Sequence, residues 1–158
     1  MKRITKRFVV ACCLLAATST PAVERDAKLK FTEAEVECLA KNIYHESYGE
    51  PHQGKRAVAY VTINRVLHDK YPDSICAVVK QRNQFEWVRM GKWNVKHKAA
   101  YKDSLMIAYS VIINYDHTRD PTKGATMFHA TRISPKWNWR KLVKTVRIGN
   151  HVFYKERS

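Results

Sequence analysis

Residues 32–51 read Thr32-Glu33-Ala34-Glu35-Val36-Glu37-Cys38-Leu39-Ala40-Lys41-Asn42-Ile43-Tyr44-His45-Glu46-Ser47-Tyr48-Gly49-Glu50-Pro51. Thr32 with Glu35 three residues on is a capping box, which marks a helix start. Val36, Leu39, Ala40 and Ile43 then recur at helical spacing. Gly49, with Pro51 beyond it, stops the helix. The next step on the apolar stripe after 36, 39 and 43 is Glu46. A carboxylate therefore falls at the inner edge of a hydrophobic face, in the last turn. Partial burial disfavours its charged form, and the negative end of the helix dipole acts the same way. A raised pKa is what a carboxylic general acid needs near neutral pH. The plainer reading is a surface glutamate paired with a nearby cation; its place on the apolar side argues against that.

Working outward, residues 54–67 predict a second helix with Ala57, Val58, Val61 and Val66 inward. Tyr71-Pro72-Asp73 is a turn, and Asp73 or Ser74 can cap a short helix through Val79. Residues 81–95 predict a loop, polar and aromatic. Residues 98–115 predict the longest helix, with Leu105, Ala108, Tyr109 and Ile112 on one face. Residues 116–124 form a polar break containing Asp120-Pro121, and 125–131 a short strand. Residues 133–139 predict a loop. Two further strands, 143–148 and 151–155, flank the turn dipeptide Gly149-Asn150 and predict a hairpin. Helices first and a small C-terminal antiparallel sheet last is an α+β pattern.

Upstream, Lys2, Arg3, Lys6 and Arg7 precede the apolar run 8–17, and the small-residue stretch 18–22 ends in Thr20-Pro21-Ala22. This predicts an export signal over residues 1–22, ahead of a single domain over 23–158. Val9-Val10-Ala11-Cys12 resembles a lipoprotein cleavage box, and an uncleaved anchor is a third arrangement. Of the cysteines, Cys38 and Cys76 lie downstream. In an oxidising compartment they are expected to pair, the other state being two buried thiols. The chain has 29 Lys and Arg against 14 Asp and Glu, a net charge of +15. Such charge speeds encounter with polyanions and makes binding salt-sensitive. Nucleic acid, an envelope polymer and an acidic membrane all fit it.

The segments Cys38-Leu39-Ala40, Asn42 to Pro51, Ala57-Val58-Ala59, Asn64-Arg65-Val66 and Tyr71 to Val79 resemble the SleB-type cell wall hydrolases. That family includes spore-cortex-lytic enzymes and phage lysins. The likeness continues through Gln84-Phe85-Glu86-Trp87, Asp120 to Ala130, Pro135-Lys136-Trp137 and Ile148 to Tyr154, in the family's order. It implies a lysozyme-like α+β fold and cleavage of the β-1,4 bond between N-acetylmuramic acid and N-acetylglucosamine. The family's catalytic acid matches Glu46. The family typically has Ala-Arg where Ser47-Tyr48 stands, and a small residue in place of Glu86. With one clear acid, a lytic transglycosylase route is attractive, because the usual hydrolytic route needs two flanking carboxylates. A water nucleophile stays open.

Candidate substrate contacts are Tyr60 and Asn64 on the second helix, Gln84, Phe85 and Trp87 in the loop, and Phe128, His129, His151 and Tyr154 on the sheet. Each has a packing or hydrogen-bonding role as its plainer reading. His45, Glu46 and His52 are not a zincin motif, since the histidines are seven apart. His117, His129 and His151 fit no zinc spacing, and no cofactor or metal is expected. Expected partners are peptidoglycan and anionic envelope polymers, for a monomer. A basic protein that binds wall polymer or nucleic acid without cutting is the alternative. The scattered cations and the export signal argue against nucleic acid.

Overall fold

The computed structural model describes residues 32–157, so the export signal expected over residues 1–22 and Cys12 lie outside the described residues. Thr32 caps helix α1 (Glu33–Glu46): its hydroxyl accepts the Glu35 N–H at 3.3 Å. Glu35 does not close the box. Its carboxylate instead accepts the Cys76 N–H at 3.0 Å, satisfying an open donor at the start of helix α3 (Ile75–Lys80). Ser74 caps α3 through the Ala77 N–H. Cys38 and Cys76 form a disulfide that ties α1 and α3 together. It closes 38 residues of chain, worth about 4 kcal/mol on the chain-entropy argument.

Helix α2 (His52–Val66) is buried almost all round. Ala59, Tyr60, Ile63 and Val66 enter the main core, where Leu39 and Ile43 of α1 also lie. Ala57 and Val61 face a second cluster with Phe153 and Ile148. A helix apolar on both sides sits between layers, so the inward set is wider than the four residues expected, and Tyr60 is a core residue. Helix α5 (Lys98–Asn114) completes the helical layer. Its buried face is Ser104, Ile107, Ala108, Val111 and Ile112, whereas Tyr109 is largely exposed and Leu105 only partly covered. Apolar residues ring this helix, so periodicity alone misplaced the face. The expected loop 81–95 contains a one-turn helix, α4 (Glu86–Arg89), held by the buried rings of Phe85 and Trp87.

The sheet is antiparallel in the order β1-β3-β2, from β1 (Met127–Ala130), β2 (Leu142–Ile148) and β3 (His151–Glu156). Gly149-Asn150 forms the hairpin turn between β2 and β3, as expected, with Gly149 at φ 57°. Opposite Phe128 on β1 stands Phe153, and opposite His129 stands Val152. Alternation along the strands then puts Phe128, His151 and Phe153 on one face and His129 and Tyr154 on the other. The first face packs on α2 through Phe153. The architecture is α+β, helices first and sheet last. Among the described residues no helix is long and apolar enough to cross a membrane.

Candidate active site

A cleft of about 900 Å³ opens between the end of α1, the segment around α4 and the edge strand β1. Its wall includes Glu46, Glu50, Arg65, Gln84, Glu86, Trp87, Phe128, His129 and His151. Glu46 is half-buried, in the last turn of α1. Burial pushes its carboxyl up to about 7; the Arg65 guanidinium pulls the other way, and Glu86 adds to the rise. The acid is thus about half protonated at neutral pH.

The neighbours of Glu46 come from distant segments. Arg65 is buried on α2, where its Nε donates to the Thr126 carbonyl at 2.7 Å. Its guanidinium lies 5.2 Å from the Phe85 ring centre and 5.5 Å from that of Tyr71. Its Nη1 has no hydrogen-bond partner. His45 stacks on Trp87 at 4.4 Å, and the Trp87 indole donates to Asn42 Oδ1 at 3.2 Å. Asn42 in turn donates to Thr62 at 3.1 Å, so Trp87 is anchored to both α1 and α2. Burial lowers the pKa of His45 and of His151, so both imidazoles are neutral at neutral pH.

Three carboxylates line the cleft, and their circumstances differ. Glu50 is engaged at both oxygens: Oε2 accepts the Asn150 N–H and Oε1 the Asn150 amide, each at 3.0 Å. Glu86 is exposed and lies 3.4 Å from Arg89. Glu46 alone combines burial with a raised pKa. Among the described residues no group of His, Cys, Asp and Glu is placed to hold a metal.

Of the expected contacts, Gln84, Phe85, Trp87, Phe128, His129 and His151 line the cleft. Phe85 and Trp87 do so as buried wall, their faces covered by Arg65 and His45. Tyr60, Asn64 and Tyr154 are not in its lining. Tyr60 is fully buried and bonds Thr118. Asn64 donates to Asp120, Thr122 and the Ala125 carbonyl at 3.0–3.2 Å, pinning the loop that enters β1. Tyr154 stacks on His129 on the outer face of the sheet. Sequence reasoning missed Arg65 as a site residue; its one signal was a charge in the otherwise uncharged run from Ala57 to Val66.

The Cell Wall Hydrolase family model matches residues 49–154. The chain belongs to that family. Members similar to this chain include the spore cortex-lytic enzymes of Bacillus cereus, 29% identical over 127 residues, and of Halalkalibacterium halodurans, 29% over 139. These alignments cover 79% and 87% of the chain but only 46% and 37% of those proteins, so the chain spans less than half of their length. The catalytic domain of the Bacillus cereus SleB protein superposes with a TM-score of 0.63 at 27% identity, over 80% of this chain and 93% of that domain. The catalytic domain of the germination-specific lytic transglycosylase SleB from Bacillus anthracis gives 0.62 at 28%, over 79% and 97%. The fold is therefore the lysozyme-like fold of these catalytic domains. Ser47 is buried and its hydroxyl donates to the Ile43 carbonyl at 2.5 Å, while Tyr48 is exposed at the rim, against His97 at 5.5 Å.

Proposed function

We propose that the cleft binds a peptidoglycan glycan strand and cuts it between N-acetylmuramic acid and N-acetylglucosamine, with Glu46 as the general acid and base of a lytic transglycosylase. The observation that carries this is the half-buried Glu46 at about 7, facing a cleft whose other carboxylates are clamped or exposed. Protonated Glu46 gives its proton to the leaving glycosidic oxygen as the bond to C1 breaks. The resulting carboxylate takes the proton of the muramyl 6-hydroxyl as that oxygen bonds C1. The products are a 1,6-anhydromuramyl end and a free 4-hydroxyl, and Glu46 regains its proton without water. Arg65 steadies the carboxylate between the two transfers. Gln84, Phe128, His129 and His151 supply contacts along the strand. Family membership supports a wall substrate, and the basic charge suits an exported protein that works against an anionic wall.

A second reading rests on Glu86, an exposed carboxylate in the same wall. There it would activate water, and the reaction would be hydrolysis. Digestion of purified peptidoglycan, with products identified by mass spectrometry, separates the two. Anhydromuramyl ends that vanish in Glu46→Gln and persist in Glu86→Gln are expected. Reducing muramyl ends, lost in both variants, would make Glu86 the base. No glycan cleavage by the folded wild type would remove both readings.

A further inference from the structure

Beyond the cleft, on the outer face of the sheet, four aromatic rings lie together: His129, Trp137, Trp139 and Tyr154. Tyr154 stacks on His129 at 5.4 Å, within 18° of parallel, and Trp139 lies 5.4 Å from Tyr154. Trp137 meets Trp139 at 5.6 Å and His129 at 5.5 Å. The cluster is continuous with the cleft, because His129 and Trp137 line both. Sealing the sheet does not account for all of it. Val152, which shares this face with His129 and Tyr154, is only 8% exposed, while Trp139 keeps 43% of its surface open. An indole left open, braced by three other rings, is a rigid apolar surface with little conformational entropy to lose on binding.

We propose that Trp139, Trp137 and Tyr154 form a platform that takes further sugar rings of the same glycan strand, beyond the bond cut at Glu46. This rests on the glycan reading of the cleft. The apolar C–H face of a pyranose matches an aromatic face by dispersion and burial, and the polar rim of the sugar stays wet. Exposed Arg132, Lys136 and Arg140 stand in the same segment, suited to the carboxylates of stem peptides carried on that strand. The platform therefore selects for length: short fragments fill the cleft, and longer strands reach the rings.

The test uses Glu46→Gln protein titrated with N-acetylglucosamine oligomers of three and six units, read by tryptophan fluorescence and by the indole N–H signals in NMR. The hexamer is expected to bind more tightly and to move the Trp139 signal, which the trimer leaves in place. Adding Trp139→Ala should weaken hexamer binding roughly five- to tenfold, and Trp139→Phe should restore most of it. Length gain retained in Trp139→Ala, an unmoved Trp139 signal, or no binding of either oligomer would overturn the platform. A wild type that binds the hexamer through Trp139 but releases no glycan fragment from peptidoglycan leaves the platform standing and sinks the cutting reaction instead.

Discussion

A carboxyl group keeps its proton near neutral pH only where its surroundings stabilise the anion less than water does. Burial does this for Glu46, and the helix end adds to it; Arg65 offsets part of the rise and Glu86 increases it. The sign of the stability effect follows. The folded-state pKa, about 7, lies above the ordinary value of 4.5, so the folded chain holds this proton over a window in which the unfolded chain has lost it. Stability therefore falls as pH rises from about 4.5 to about 7. Glu46→Gln removes that penalty. The variant is expected to be more stable than wild type by about 1–3 kcal/mol at pH 8 and nearly equal to it at pH 4. Urea denaturation at the two pH values checks this, and a gap that does not change with pH would show that Glu46 ionises freely. The position of Glu46 on the α1 stripe was legible in the sequence. Its electrostatic surroundings were not, because Arg65 and Glu86 arrive from α2 and α4.

Between elements, the joint that shapes the cleft is Glu50 against the β2–β3 turn. Its two oxygens hold Asn150 at 3.0 Å each, and a Cβ on Gly149 would stand 2.1 Å from Oε2. Gly149 is thus required twice, for its positive φ and for this approach. Glu50→Gln turns one acceptor into a donor facing the Asn150 donors. It is expected to cost about 1–2 kcal/mol and to speed hydrogen exchange at Asn150 and His151, with the amides of α5 unchanged. Uniform loss of protection across the chain would mean that the joint is not local. The hairpin itself was legible from Gly149-Asn150, and α1 from its cap and stripe. The one-turn α4 was not, being shorter than any period that could reveal it. Nor was the inner face of α5, since Met106, Tyr109 and Ile113 are apolar and exposed.

At the scale of the molecule, a net charge of +15 acts on every encounter with a polyanion. Exposed charges are screened within about 10 Å at 0.1 M salt. Binding of Glu46→Gln protein to insoluble peptidoglycan, measured by co-sedimentation, is expected to weaken roughly tenfold between 0.05 and 0.5 M salt. Salt-independent binding would assign the hold on the wall to the cleft and the aromatic platform instead. The sequence alone determined the order of the longer helices and the strands, the α+β class and the placement of Glu46 at the end of an apolar stripe, and it raised the pairing of Cys38 with Cys76 as an expectation that the structure bears out. Each of these follows from local chemistry: caps, periods, turn residues, or two cysteines in one downstream domain. Only the tertiary structure decided what surrounds Glu46. It sent Tyr60 into the core and Asn64 to the loop before β1, brought Arg65 to the wall, and set Glu50 to holding a turn 100 residues away. These placements depend on how α2 is shared between two packed layers, and no local pattern in the chain encodes that.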